Sequence, residues 1–249
     1  MVNERLRAAI FSNGLDPDKV SSNLGVDRKT VDRWIGGTVP YRRHRHSLSA
    51  LLKTDLAYLW PANTPDQSKE MSTAELISIW AKRFHAPPNI WLDLFEKASK
   101  NINILVYAGF WLSEDPEIRE VLEKKAKLGV QVRFLFGALE GSAIANRGFE
   151  EGIGDSLSAK IRNAIHNYRN IVNLENVEVR FHDTPLYSSI YQADESMLVN
   201  AHIYGLPAHM TPLLHIQKIP GGELFTQYSE GFNRVWENAQ LFSESEFAA

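Results

Sequence analysis

The stretch that constrains this chain most is Asp16–Ile35, where two helix starts flank a single glycine. Asp16-Pro17 opens the first helix: the aspartate oxygen serves the orphan N–H groups, and proline loses nothing at the first helical position. Val20 and Leu24 give that helix one apolar stripe, and Ser21 is small enough for another helix to approach closely. Gly25 then permits the positive φ that a sharp turn demands. Val26 plugs the turn, and Asp27 caps a second helix in which Val31, Trp34 and Ile35 point inward at helical spacing. With that face buried, Lys29, Asp32, Arg33 and Gly36 must face outward, with Arg28 beside them at the helix tip.

An outward face of this chemistry suits the major groove of duplex DNA. Arginine and lysine match guanine O6 and N7, and a carboxylate can accept from the cytosine amino group. Arg28, Lys29, Thr30, Asp32 and Arg33 are therefore candidate DNA contacts, with Asp32 equally readable as a partner of Arg28 or a solvated charge. In Pro40-Tyr41-Arg42-Arg43-His44-Arg45-His46, the residues Tyr41, Arg42, Arg43 and Arg45 suit phosphate clamping, which adds affinity but reads no sequence. His44-x-His46 lacks further ligands at metal-binding spacing and is read as a helix start over phosphate, so no metal is expected. Leu48, Leu51, Leu52, Leu56, Leu59 and Trp60 complete a small core of five short helices. Charge agrees: residues 1–60 carry ten Lys/Arg against six Asp/Glu, whereas the rest carries 17 against 24. A basic head on an acidic body is the footprint of a head that touches phosphates.

Trp60-Pro61-Ala62-Asn63-Thr64-Pro65-Asp66-Gln67-Ser68 breaks the composition with two prolines and small polar residues, a linker signature. The expected division is a head over 1–61, a linker over 62–74 and a body over 75–249. A helical stretch is expected from about Thr73 to Lys100, broken near Pro87-Pro88. Asn103–Ala108 then reads as a buried strand, Asp115-Pro116 opens a helix that closes at Gly129, and Val130–Phe136 is the next strand. That is a βαβ unit and predicts a parallel pair. One long amphipathic helical region is expected over Asn146–Tyr168, with Gly152-Ile153-Gly154 bending or interrupting it. Strands follow over Val177–Phe181, Leu186–Ala193, Met197–Tyr204 and Leu213–Ile219, with a hairpin at Asp194-Glu195-Ser196. A last amphipathic helix carries Leu224, Tyr228, Phe232 and Trp236 on one face.

Composition excludes several classes. Apolar content of 44% and charged content of 23% are ordinary for a globular protein, and no run approaches the roughly 18 apolar residues of a membrane span. Residues 1–6 lack the apolar core of a signal peptide, so a cytoplasmic, nucleoid-associated place is expected and no membrane partner. The absence of cysteine excludes disulfides, thiolate nucleophiles and zinc-finger ligand sets.

Gly25-Val26-Asp27-Arg28-Lys29-Thr30-Val31-Asp32-Arg33-Trp34 resembles the XRE, or lambda-repressor-like, helix-turn-helix class, over residues 5–60. Val39–Arg45 and Tyr58-Leu59-Trp60-Pro61 further resemble one bacterial subgroup of regulators, in which the head precedes a phospholipase-D-like domain. Residues 75–240 resemble that domain through Glu150–Asp155, Lys160-Ile161-Arg162-Asn163 and Leu186–Asp194. The resemblance implies an all-α helix-turn-helix domain followed by an α/β phospholipase-D-like domain. It also implies a homodimer, since single phospholipase-D-like halves commonly pair.

A working site of that kind needs two His-x-Lys-x4-Asp motifs, and no His-x-Lys occurs here. Tyr187-x-Ser189-x4-Asp194 stands in the expected strand-turn position, and His215-Ile216-Gln217 is another near miss. No Gly-x-Ser-x-Gly elbow, P-loop or His-Glu-x-x-His is present either, so the chain is expected not to be an enzyme and to use no cofactor. What remains is a cleft of neutral hydrogen-bonding groups: Tyr187, Ser189, Tyr191, Asn200 and His202 on adjoining strands, with Asp194 at the turn. These are the candidate residues for a small effector, phosphorylated or nucleotide-like. The alternative is a set of satisfied core groups in a body that only dimerises. The expected function is a sequence-specific transcriptional regulator binding double-stranded, pseudo-palindromic operator DNA. The rivals are a phosphodiesterase or nuclease with an atypical site, and a repressor or antitoxin whose body binds a protein.

Overall fold

The structure is a computed structural model that describes residues 2–60 and 67–242. It divides into two compact units, Met1–Gln67 and Ser68–Ala249; of the expected linker, residues 62–66 lie outside the described residues.

Among its described residues the first unit holds five helices: α1 (Glu4–Ser12), α2 (Pro17–Leu24), α3 (Arg28–Ile35), α4 (Arg42–Leu52) and α5 (Leu56–Leu59). Asp16 Oδ1 accepts from Lys19 N–H at 2.8 Å, and Asp27 Oδ1 accepts from Lys29 N–H at 2.8 Å, so both helix starts are capped by the aspartates. Between them Gly25 takes φ 63° and ψ 36°, the left-handed conformation that lets the chain reverse in three residues. Leu6, Ile10, Val20, Val31, Trp34, Leu48, Leu52, Leu59 and Trp60 close one small core. Asn3 ties its ends together: its amide N–H donates to Ile35 O and its side-chain Nδ2 to Leu59 O.

The second unit is built on one sheet of eight strands: β1 (Leu76–Trp80), β2 (Asn101–Leu105), β3 (Gln131–Gly137), β4 (Val177–His182), β5 (Ser188–Ala193), β6 (Ser196–Ala201), β7 (Leu213–Gln217) and β8 (Gln240–Leu241). Their order is β1-β7-β6-β5-β2-β3-β4-β8. β2, β3 and β4 run parallel, as the βαβ pattern requires, and every other pairing is antiparallel. Helices α7 (Ile90–Glu96), α8 (Phe110–Glu114), α9 (Pro116–Lys127), α10 (Ser142–Glu150) and α11 (Ser156–Asn167) accompany the larger core, where Phe95, Ile104, Leu122, Phe134, Phe136 and Tyr168 meet. The opposite sheet face packs on α12 (Leu224–Asn238), with Leu105, Leu135 and Ile190 under Phe232 and Trp236.

Two expectations are corrected. The stretch from Thr73 to Lys100 is helical near its two ends, in α6 (Gln67–Glu75) and α7 (Ile90–Glu96), but Leu76–Trp80 is an edge strand. Its Leu-Ile-Ser-Ile-Trp run is rich in strand-forming residues, but the partner that decides the matter, β7, lies some 130 residues away in sequence. The single helical region over Asn146–Tyr168 is two helices, because Gly152 and Gly154 adopt φ +68° and +49°, values a continuous right-handed helix excludes. Glu75, at the end of α6, is fully buried and accepts the Leu224 and Phe225 N–H groups at 2.8 and 2.9 Å, so it caps α12 across the fold.

Candidate functional site

Two surfaces carry chemistry, one in each unit. In the first, α3 has its apolar side in the core, with Val31 at 0% and Trp34 at 5% exposure, while Lys29, Asp32 and Arg33 are exposed. Thr30 is half-buried. Arg28 is engaged by Asp18 of α2 and stands 3.6 Å from Asp32, so this carboxylate is at least partly an internal partner. Among the described residues Lys29 and Arg33 form no ion pair. The ring of Trp34 lies 5.4 Å from that of His44, which brings the start of α4 against the end of α3. Tyr41, Arg42 and Arg43 are exposed there, and Arg45 is half-buried. The exposed side chains thus converge as a basic surface around a short capped helix.

In the second unit a cleft of about 210 Å³ opens beyond the end of β2. Register explains which residues reach it. Ser189 of β5 pairs with Asn200 of β6, and His202 N–H donates to Tyr187 O, so Ser189, Tyr191, Asn200 and His202 share one sheet face. Ser189 Oγ lies 3.0 Å from His202 Nε2, and His202 Nδ1 lies 3.2 Å from Leu186 O. The Tyr107 ring stacks on the imidazole at 5.4 Å and 19°. Burial, helped by the charge of Arg147 and opposed by the Leu186 carbonyl, lowers the His202 pKa to about 4. Tyr191 is buried, which raises its pKa, and the side chains of Arg83, Trp111 and Ser189 oppose that rise. Asn200 is fully buried; its Nδ2 donates to Thr211 Oγ1 at 2.9 Å and Pro212 O at 3.0 Å, so it braces the cleft wall and does not face a ligand.

Two of the expected cleft residues are elsewhere. Tyr187 precedes β5, and its side chain is 87% exposed. Asp194 sits at the opposite end of β5 in the hairpin, at φ 49°. It accepts from Ser99 N–H and Oγ, Lys100 N–H and Asn101 N–H at 2.7 to 2.9 Å. Burial opposes its ionisation, but these donors together outweigh that and hold the carboxyl below its usual range. Asp194 is a structural clamp.

Residue-by-residue reading missed the groups that complete the cleft. Arg83 follows β1 in a short 3-10 turn; its guanidinium lies 4.3 Å over Trp111 and 3.4 Å from Asn200 Oδ1. Tyr107, Phe110 and Trp111 follow β2, and Lys160 comes from α11. Arg147 of α10 is 5% exposed, paired with Glu150 and Glu151, and donates to Leu206 O at 2.7 Å, fixing the loop after β6. The one available signal was the position of Tyr107–Trp111 immediately past a buried parallel strand, where sheets of this type open a crevice. Among the described residues no cluster of three His, Asp or Glu side chains could hold a metal ion, and no helix is long and apolar enough to cross a membrane.

No protein-family model and no curated protein matches the sequence. Solved structures do. The archaeal chromatin protein TrmBL2, described as showing a novel mode of DNA binding, is 14% identical over 80% of this chain and 66% of its own, with a TM-score of 0.42. The phospholipase D family member Nuc from Salmonella typhimurium is 14% identical over 66% of this chain and 97% of its own, TM-score 0.40. The phosphatidylserine synthase of Haemophilus influenzae is 14% identical over 66% of this chain and 39% of its own, TM-score 0.44. Likeness at this level assigns no substrate or partner. It does overturn one expectation: with phospholipase D family members and a synthase among the similar structures, the missing His-x-Lys pairs do not establish that the chain is not an enzyme.

Proposed function

We propose that this chain is a sequence-specific DNA-binding transcriptional regulator. In this reading residues 1–61 are a helix-turn-helix head, with α3 entering the major groove and Arg42 and Arg43 holding phosphates. Residues 75–249, beyond the linker over 62–74, hold two copies together and bind a small effector in the cleft.

The observation that carries the reading is the polarity of α3. Val31 and Trp34 are spent on the core, and Lys29 and Arg33 project from the same eight-residue helix into water with no internal ion pair among the described residues. A capped, exposed, cationic helix of that length matches a recognition helix, whose N-terminal side chains contact base edges. A two-fold dimer would present two such helices to half-sites about 34 Å apart or a multiple of that. The cleft supports the effector part, because a ligand seated on Arg83, Trp111 and His202 can favour one of two states of the protein only by touching it differently in each.

The test is selection of genomic DNA fragments by the full-length protein, followed by footprinting. A pseudo-palindromic sequence enriched well above random fragments is expected. Equal recovery of random and genomic DNA would overturn the reading.

A further inference from the structure

The cleft contains a pair of groups that ligand binding alone does not require. Ser189 Oγ is 3.0 Å from His202 Nε2, while His202 Nδ1 faces Leu186 O at 3.2 Å. A carbonyl oxygen can only accept, so Nδ1 carries the proton, and in the neutral ring Nε2 keeps its lone pair for the Ser189 hydroxyl. This orientation is enforced from both sides. Tyr107 stacks on the imidazole, and the Leu186 N–H donates to Tyr107 Oη at 2.7 Å, so the carbonyl that sets the tautomer is itself held. Nucleophile, base and base-orienting group, each within hydrogen-bond reach of the next, are the signature of an activated hydroxyl.

We propose that Ser189 and His202 form a nucleophile–base dyad that hydrolyses carboxylic esters with a short apolar acyl group. Ser189 Oγ attacks the carbonyl carbon as its proton passes to His202 Nε2. The guanidinium of Arg83, which lines the same cleft, balances the oxyanion of the tetrahedral intermediate. The bond from carbon to the leaving oxygen breaks, and the imidazolium returns its proton to the departing alcohol. Water then attacks the acyl-serine with His202 taking its proton, releasing the carboxylic acid and restoring the hydroxyl. The acyl preference follows from the walls, which include Val106, Ala108, Phe110, Trp111, Leu157 and Ala208. A volume of about 210 Å³ admits only the acyl end of a larger molecule, being below the roughly 300 Å³ where ligand pockets usually begin. Of the charged lining groups, Glu151 is paired with Arg147, which leaves Arg83 and Lys160 as cations facing the cleft. His202, held neutral by its burial and by Arg147 and Arg83, is in the base form at neutral pH but is a weak base, so turnover is slow.

The test uses the full-length protein and a fluorophosphonate at low concentration, which reacts far faster with an activated hydroxyl than with other side chains. One adduct, mapped by peptide mass to Ser189, is expected. His202→Gln slows its formation at least 100-fold, and Ser189→Ala abolishes it together with the hydrolysis of p-nitrophenyl acetate and butyrate. An adduct on another residue, no adduct on the wild-type protein, or hydrolysis undiminished in folded Ser189→Ala overturns the assignment. The wild-type adduct decides the matter even where a variant fails to fold. DNA selection is unaffected by that outcome, so failure here leaves the regulator reading to its own test.

Discussion

His202 makes the stability of the second unit depend on pH in a window that can be calculated. Its pKa falls from 6.5 to about 4 in the fold, chiefly through burial, with Arg147 and Arg83 adding to the shift and the Leu186 carbonyl opposing it. Between those two values the unfolded chain binds a proton that the folded one refuses, so the contribution is complete above pH 6.5 and is lost as pH falls toward 4. At 1.36 kcal/mol per pKa unit the whole effect is about 3 kcal/mol, and about 2 kcal/mol has gone by pH 5. His182 and His215 are lowered by burial too and act in the same direction, so the wild-type slope alone does not isolate His202. Comparison with His202→Gln does, since the amide keeps a polar group in place and does not titrate. Urea unfolding of both full-length proteins at pH 7.5 and pH 5 should show the wild type losing about 2 kcal/mol more than the variant in the transition of the second unit. Equal losses would refute the placement of a neutral, buried imidazole between Ser189 and Leu186, and with it the basis for the dyad.

Four further outcomes are expected. Arg33→Ala should weaken operator binding by about 1 to 3 kcal/mol and relax base preference, whereas Arg42→Ala should weaken binding to every sequence and reduce the salt slope by about one, both read by fluorescence anisotropy across salt concentrations. Gly25→Ala should destabilise the first unit by about 1 to 2 kcal/mol in thermal melts, purely through the positive φ, since no atom lies within 4 Å of the added Cβ. Glu75→Ala should destabilise the second unit by about 1 to 3 kcal/mol, because the Leu224 and Phe225 N–H groups lose their acceptor in a buried site. Gly222→Ala should do the same by another route, its Cβ falling 2.4 Å from Glu75 Cδ.

The parts of the fold that were legible are those whose signal is local. Asp16-Pro17, Gly25, Asp27 and Asp115-Pro116 all stand where the residues put them, because a cap or a left-handed turn is decided within four residues. The parallel pairing of β2 with β3 was legible for the same reason, one helix of suitable length joining two buried runs. β1 was not, because a short run such as Leu76–Trp80 becomes a strand only by pairing with β7, and nothing near it in sequence announces that partner. β8, two residues long, has no pattern to read at all.

The site in the second unit shows a different limit. Reading along a single strand, Tyr187, Ser189 and Asp194 look like one motif, because spacing is the only relation a linear pattern can express. In the fold their environments diverge: Tyr187 is in water and Asp194 clamps the turn beside Ser99. Ser189 keeps its place in the cleft and takes its partner from just past the end of the neighbouring strand, thirteen residues on, through a register that pairs it with Asn200 and brings His202 alongside. The remaining groups, Arg83, Tyr107 and Trp111, come from the segments that follow β1 and β2, Trp111 from α8. A missing His-x-Lys pair therefore says only that one arrangement along a strand is absent. Reactivity at a sheet end depends on which side chains the register and the adjoining turns bring together, and here they bring a hydroxyl, an oriented imidazole and a guanidinium to the same small volume.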